Sequence, residues 1–316
     1  MKSINNRFSA VSKILADWNL VWYLLFFVGF SLLVWGSLGF GLDVLLRGEY
    51  ISLIRFHSVV LMLIFLLSAL LLGHFLFRIS IIWLLSYLSL PAGLIYSSLE
   101  FTLTLISGAS FFSSISVVNI LLPTFVAGLV CCFSFFLTNE NVDFSIEKNA
   151  TQLKLWMFLV MPGVISWPFI LREYSWTILF NMPSILIVWG CLLMALVRQG
   201  IKTDKSILYF GPVEYSASLL EGGKVTTFVG AGLVALFYIS LSRTVGMEGT
   251  YGPLLATAMI AVLYGTTSYL LGIMLTSVSG KPESQRNLRL DAWHLVEAYG
   301  FIILSVFSAR SVFDMV

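Results

Sequence analysis

Charge is what this sequence has least of: only 11% of its 316 residues are Asp, Glu, Lys or Arg, against 59% hydrophobic. Soluble chains carry roughly 25% charged residues, so a water-soluble domain of this size is excluded and lipid is the solvent for most of the chain. The net charge of +2 marks neither a nucleic-acid surface nor an acidic-substrate surface. Cysteine is equally sparse. Cys131, Cys132 and Cys191 sit in apolar blocks without metal-ligand spacing, so they read as small core residues, with no disulfide framework and no thiolate metal centre. His57 and His74 lack a partner at i+3 or i+4, so no histidine metal site is expected, and nothing implies a cofactor. The amino-terminal segment holds Lys2, Arg7 and Lys13 but no small-residue cleavage site before the first apolar run. That run is therefore expected to stay as a first span.

Long apolar blocks, by contrast, are abundant. Crossing a ~30 Å hydrocarbon core takes roughly 20 helical residues, and eight blocks of about that length lie between polar breaks. They are Leu20–Phe40, His57–Leu76, Ser80–Thr104, Ile115–Leu137, Leu155–Leu171, Trp176–Val197, Val225–Leu241 and Gly252–Ser277. Helices are the expected conformation because a bilayer offers unpaired backbone groups no partner. The fold class read from this pattern is all-α, a polytopic transmembrane bundle of about eight spans. A further apolar stretch, Ala292–Ala309, is ambiguous between a ninth span and a cytoplasmic or interfacial helix over 282–316. With the amino terminus in the cytoplasm, thirteen of the 18 Lys and Arg residues fall on the inner side and four on the outer side, with Arg310 unassigned. This positive-inside bias fixes the orientation. Trp18, Trp22, Trp176 and Tyr251, near span ends, read as interface anchors.

The polar segment 139–154 divides the chain into a four-span half, 1–138, and a second four-span unit, 155–281. The inner connection Arg198–Lys224 contains Gly211-Pro212 and Gly222-Gly223, which predicts turns flanking a short helix. Glu100 is an acid in an apolar stretch and so a functional candidate by position. Counting outward from Arg78 places it at the far interface, which favours an ordinary solvated carboxylate. Glu297 and His294 belong to the terminal segment, where a cytoplasmic helix keeps them in water.

Three stretches of the second unit resemble, in order, the MotA/TolQ/ExbB family of ion-driven motor subunits. Asn181-Met182-Pro183-Ser184-Ile185-Leu186-Ile187-Val188-Trp189-Gly190 is similar to the family's opening of the second span. Gly252-Pro253-Leu254-Leu255-Ala256-Thr257-Ala258-Met259-Ile260-Ala261-Val262-Leu263-Tyr264-Gly265 reproduces without gaps the opening of its fourth span. Leu295-Val296-Glu297-Ala298 and Ala309-Arg310-Ser311-Val312-Phe313 resemble its cytoplasmic tail helix. The resemblance implies a bacterial inner-membrane protein with both termini cytoplasmic. It further implies a homo-oligomeric ring, pentameric in the family, around a MotB- or ExbD-like single-span partner whose intramembrane aspartate carries the ion. Such a protein is not an enzyme. The small residues Gly230, Gly232, Ala256, Ala258, Ala261 and Gly265 allow close helix approach, and with Pro253 they would line the partner-facing side.

Departures from the family pattern bear on the ion. Thr226 stands where the family has proline, Leu233 where it has threonine, and Ala261-Val262 where sodium-driven members often carry Thr-Thr. Sodium needs several oxygen ligands, so proton drive is the reading these residues favour. Thr257, one turn before Ala261, is the best residual polar lining position; a bond to its own backbone four residues back is the alternative. The family's large cytoplasmic domain is missing, which argues against a rotor-binding face. Setting Pro123 beside Pro253 aligns small-residue stretches in both halves, consistent with a degenerate repeat or with unrelated peripheral helices. Two other functions stay open: a secondary transporter built from two four-helix halves, and a non-conducting scaffold. The transporter would need broken helices in both halves, and only Pro162 and Pro168 in the fifth span suggest them.

Overall fold

A computed structural model describes residues 57–107, 114–137, 152–170, 179–241, 248–279, 299–300 and 302–303. The predicted first span Leu20–Phe40 and most of the 139–154 linker lie outside the described residues. Among the described residues the fold is all-helical. Seven α-helices follow in order: α1 His57–Phe77, α2 Ile81–Ser107, α3 Ser114–Leu137, α4 Gln152–Ile170, α5 Met182–Thr203, α6 Pro212–Leu241 and α7 Glu248–Ser279. Four of them, α1, α2, α5 and α7, are long and apolar enough to cross a membrane, and α3 and α4 carry shorter apolar stretches.

The turns explain where helices stop. Arg78 ends α1 in the left-handed region, φ 56°. The Arg78 amide donates to the His74 carbonyl at 3.0 Å and that of Ile79 to the Gly73 carbonyl at 3.4 Å. This pair of bonds satisfies the last carbonyls of α1 and turns the chain into α2 within three residues. Asp204, φ 52°, ends α5 in the same way, and a 3-10 turn, Ile207–Tyr209, follows. The Arg198–Lys224 connection is therefore shorter than predicted. Gly222 and Gly223 lie within α6 rather than breaking it, because each is pressed against a neighbouring helix where a side chain has no room.

Packing joins the two halves into one bundle. The α6–α7 pair is the most extensive contact, followed by α2–α3, α2–α7, α5–α6 and α1–α4. Interhelical bonds fix the register of neighbours. Ser97 meets Thr124 at 2.7 Å, Tyr96 donates to Ser166 Oγ at 2.7 Å, and Cys131 Sγ lies 3.1 Å from the Ser86 carbonyl. Phe77 packs on Phe158 with ring centroids 5.5 Å apart, so the end of α1 lies beside the first half of α4. At the closest approach of α2 and α3, a Cβ on Gly93 would come within 2.5 Å of the Ala127 Cβ. Pro91 and Pro123 lie inside α2 and α3, which run through them without a break.

α7 is the central helix, buried along most of its length, whereas α5 is largely exposed. Leu186, Trp189, Leu193, Met194, Val197 and Ile201 of α5 face outward. Such a face suits lipid, since apolar surface in contact with acyl chains carries no hydration cost. Of the tail, Tyr299 donates to the Leu121 carbonyl of α3 at 3.2 Å, and Ile302 is 2% exposed within the main core; the rest of 282–316 lies outside the described residues.

Candidate functional site

The α5 start and the middle of α7 form a polar joint. Asn181 is the N-cap of α5, its backbone extended and its side-chain oxygen accepting from the Ser184 amide at 3.3 Å. Pro183 sits in the first turn, where its missing N–H has no helical partner to lose. The Asn181 amide nitrogen then donates to Thr257 Oγ1 at 3.0 Å, and Ser184 Oγ donates to the Thr257 carbonyl at 2.7 Å. Tyr264 Oη adds a bond to the Leu179 carbonyl at 2.8 Å. Two stretches more than 70 residues apart in sequence are thus tied through their polar groups.

Below this joint, α6 and α7 touch backbone to backbone. A Cβ on Gly265 would lie 2.6 Å from both the amide nitrogen and Oγ1 of Thr227, and one on Gly223 would lie 2.6 Å from the Tyr269 nitrogen. Gly230 abuts Val262, and Gly272 abuts Leu220. At the lower end, Ser216 Oγ bonds the Gly272 carbonyl at 3.0 Å and meets the Thr276 hydroxyl. Close approach of this kind is the use membranes make of small residues.

The predicted site residues separate accordingly. Ala258 and Ala261 are 1% and 0% exposed, and Ala256, Val262 and Gly265 are buried with them inside the protomer. Thr226 is buried and donates to the Gly222 carbonyl of its own helix at 2.7 Å. Leu233 is half-buried against the core, and Pro253 lies in the second turn of α7. Thr257 is half-buried, with its hydroxyl accepting from Asn181. Gly232 alone among them has open space around its Cα, and it shares a stripe of α6 with Val225 and Phe228, 41% and 67% exposed. The buried members are thus held by the helices of their own chain, and Val225, Phe228 and Gly232 form the outward stripe.

Glu100 accepts a hydrogen bond from Ser58 in the first turn of α1. A carboxylate at a helix N-terminus complements the unpaired amides and the positive end of the dipole there, and α1 has no acidic residue of its own in that turn. This placement gives Glu100 a structural task. Most other membrane hydroxyls are spent locally, with Thr102, Thr227, Thr266, Thr267 and Ser268 each donating to a carbonyl four residues back. Among the described residues no cluster of His, Cys, Asp or Glu could hold a metal ion.

The α5–α6 corner carries the ion pairs. Arg198 pairs with Glu221, and Lys205 Nζ lies 2.6 Å from Glu214 Oε1. The Gly211 amide donates to Glu214 Oε2 at 2.9 Å, half of a capping box at the start of α6. The Lys205 ammonium, and after it backbone amides including that of Gly211, hold the Glu214 carboxyl below the usual range.

Sequence reading missed Gly223, Gly272 and Thr227 as contact residues. The signal was present: Gly223 and Gly230 are seven residues apart, and so are Ala258, Gly265 and Gly272, the repeat that keeps one face of a helix on its partner. A comparison of the chain with family models, curated proteins and solved structures finds no match.

Proposed function

We propose that the chain is the multi-span subunit of an ion-motive-force-driven motor complex of a bacterial inner membrane, with protons as the ion. On this reading it crosses the membrane eight times from a cytoplasmic amino terminus through Ser279. It assembles as a homo-oligomer, a pentamer by resemblance, around a MotB- or ExbD-like partner with one span and an intramembrane aspartate. It carries out no bond-making chemistry. The supporting observation is the joint of Asn181 and Ser184 with Thr257, which couples the two stretches that carry the resemblance.

Because Ala258 and Ala261 are buried within the protomer, the partner's helix is assigned to the outward stripe Val225, Phe228 and Gly232 of α6. Gly232→Trp adds bulk on that stripe, at a position where a Cβ meets nothing within 4 Å. The expected result is loss of the driven process and of co-purification with the single-span partner, at unchanged amounts of folded protein. A variant that retains both removes the partner from α6 and, with it, the motor reading.

The burial of the α7 wall favours a second reading, a non-conducting membrane scaffold. The two differ in one outcome. A scaffold keeps its partner and its oligomeric state when the membrane potential and pH gradient are collapsed, and no proton flux accompanies its expression in liposomes.

A further inference from the structure

We propose that the end of α5 nearest the α5–α6 corner binds a phospholipid with a net negative headgroup, its phosphate on Arg198 and Lys202 and one acyl chain in the groove beside them. The inference is independent of the motor reading and needs only that α5 crosses the membrane.

Leu193, Met194, Val197, Arg198 and Ile201 line an open groove of about 390 Å³ on the outward face of α5, a volume in the range of small-molecule sites. Its four apolar side chains are exposed. From Leu193 to Ile201 the helix rises about 12 Å, so an acyl chain lying along it is covered by protein on one side over that length. Arg198 and Lys202 are one helical turn apart and share a face, which puts both charges at one end of the groove.

The charges stand at the depth of a headgroup. α5 is apolar over Met182–Thr203, 22 residues, about 33 Å at 1.5 Å per residue and enough for a ~30 Å core. Lys202 is at the end of that span and Arg198 about 6 Å short of Lys202, a distance that a long stem covers by reaching toward water. The turn Ile207–Tyr209 marks the same level, with Leu208 and Tyr209 exposed. It is pinned by Tyr215 Oη, which donates to the Ile207 carbonyl at 3.2 Å, and by the Phe210 and Tyr215 rings, 5.6 Å apart. An exposed tyrosine beside an apolar residue suits the interface, where the ring meets lipid and its hydroxyl meets headgroups.

The sign of the ligand follows from what these charges already hold. Arg198 pairs with Glu221 through one nitrogen, yet its side chain is 74% exposed. A guanidinium has five N–H donors, so a phosphate can share it with Glu221. Lys202, exposed in the last turn of α5, makes no ion pair among the described residues. Glu214 is taken by Lys205, and Asp204 lies past the helix end as its C-cap. A zwitterionic headgroup brings its own ammonium to this site, whereas an anionic one brings only the acceptor. Each Lys or Arg near a membrane surface favours anionic lipid by about fivefold.

The test gives the purified full chain, in detergent, equal amounts of phosphatidylglycerol and phosphatidylcholine with identical acyl chains, and counts retained lipids by native mass spectrometry. Phosphatidylglycerol is expected to be retained about fivefold or more over phosphatidylcholine, and Lys202→Gln to cut its retention about fivefold. Lys154→Gln, which removes the same charge from α4, should leave retention unchanged. Val197→Trp fills the groove with both charges intact and should also reduce retention. Inorganic phosphate should not compete, because it lacks the acyl chain. Equal retention of the two lipids, or retention indifferent to either Lys202→Gln or Val197→Trp, overturns the proposal. So does competition by inorganic phosphate, or a dimer mass that Val197→Trp abolishes, which would assign the groove to a second copy of the chain.

Discussion

Replacing Gly265 by Ala separates a wall that packs helix to helix from one that faces a guest or lipid. The added Cβ would sit 2.6 Å from the amide nitrogen and Oγ1 of Thr227 and 3.0 Å from the Gly223 carbonyl oxygen. Ordinary contact begins near 3.4 Å, so α6 and α7 must part by several tenths of an ångström. Two of the three atoms are backbone, which no rotamer change can move aside. Overpacking of this kind costs typically 1–3 kcal/mol, and the rigid neighbours place this site at about 3. Alanine returns about 1 kcal/mol through its better helix propensity, leaving a net loss of about 2 kcal/mol. Gly232→Ala is the matched control: its Cβ meets nothing within 4 Å, so only the propensity gain of about 1 kcal/mol remains. The assay is reversible unfolding of the purified chain in mixed micelles, followed by helicity against denaturant. Equal stability of the two variants, or a larger loss at Gly232, would refute the argument that the α6–α7 contact lies within one chain.

Three further outcomes follow from the same geometry. Asn181→Ala removes the N-cap of α5 and the bond to Thr257, and is expected to cost about 1–2 kcal/mol in the same unfolding assay; Asn181→Asp keeps the cap and loses only the donor, so it should fall between. Glu214 is held below the usual range by Lys205, so its contribution is fully present above the unfolded value of about 4.3 and is lost as pH falls through the lower folded value. The protection factor of the Gly211 amide, the slowing of its exchange relative to the free peptide, should therefore fall as pH drops below about 4.3, and Glu214→Gln should abolish that dependence. Glu100→Gln keeps an acceptor for Ser58 and should lose only the charge–dipole part, about 0.3–1 kcal/mol, with the driven process unchanged, while Glu100→Ala should cost about 1–3 kcal/mol through the unpaired group; loss of the driven process in the Gln variant would give the carboxylate a role in ion transfer.

Helix positions were readable because a membrane span must be a continuous apolar helix, and the seven described helices overlap the predicted blocks from His57 onward. Boundaries were misread where local rules were outweighed by packing. Gly222-Gly223 reads as a break by composition, yet both residues are held inside α6 by Leu192, Ala195 and Tyr269. The joint at Thr257 was half visible: its position was singled out, but the partner Asn181 was seen only as part of a motif, because a contact across 76 residues leaves no periodic trace. Burial of Ala258 and Ala261 was not legible at all. A small-residue stripe reads the same whether it meets a helix of its own chain or of another, and only α6 and α2 packed around α7 decide which.

The most direct measurement is a disulfide between α6 and α7. Ser216 and Thr276 touch through their hydroxyls, so thiols at the two positions would face one another across the α6–α7 contact, as a disulfide requires. In a chain with Cys131, Cys132 and Cys191 replaced by Ala, Ser216→Cys with Thr276→Cys should oxidise in native membranes to a single faster-migrating monomer band, restored by reductant. A ladder of linked oligomers, or no reaction in membranes that hold folded protein, would contradict the packing of α6 on α7 within one chain.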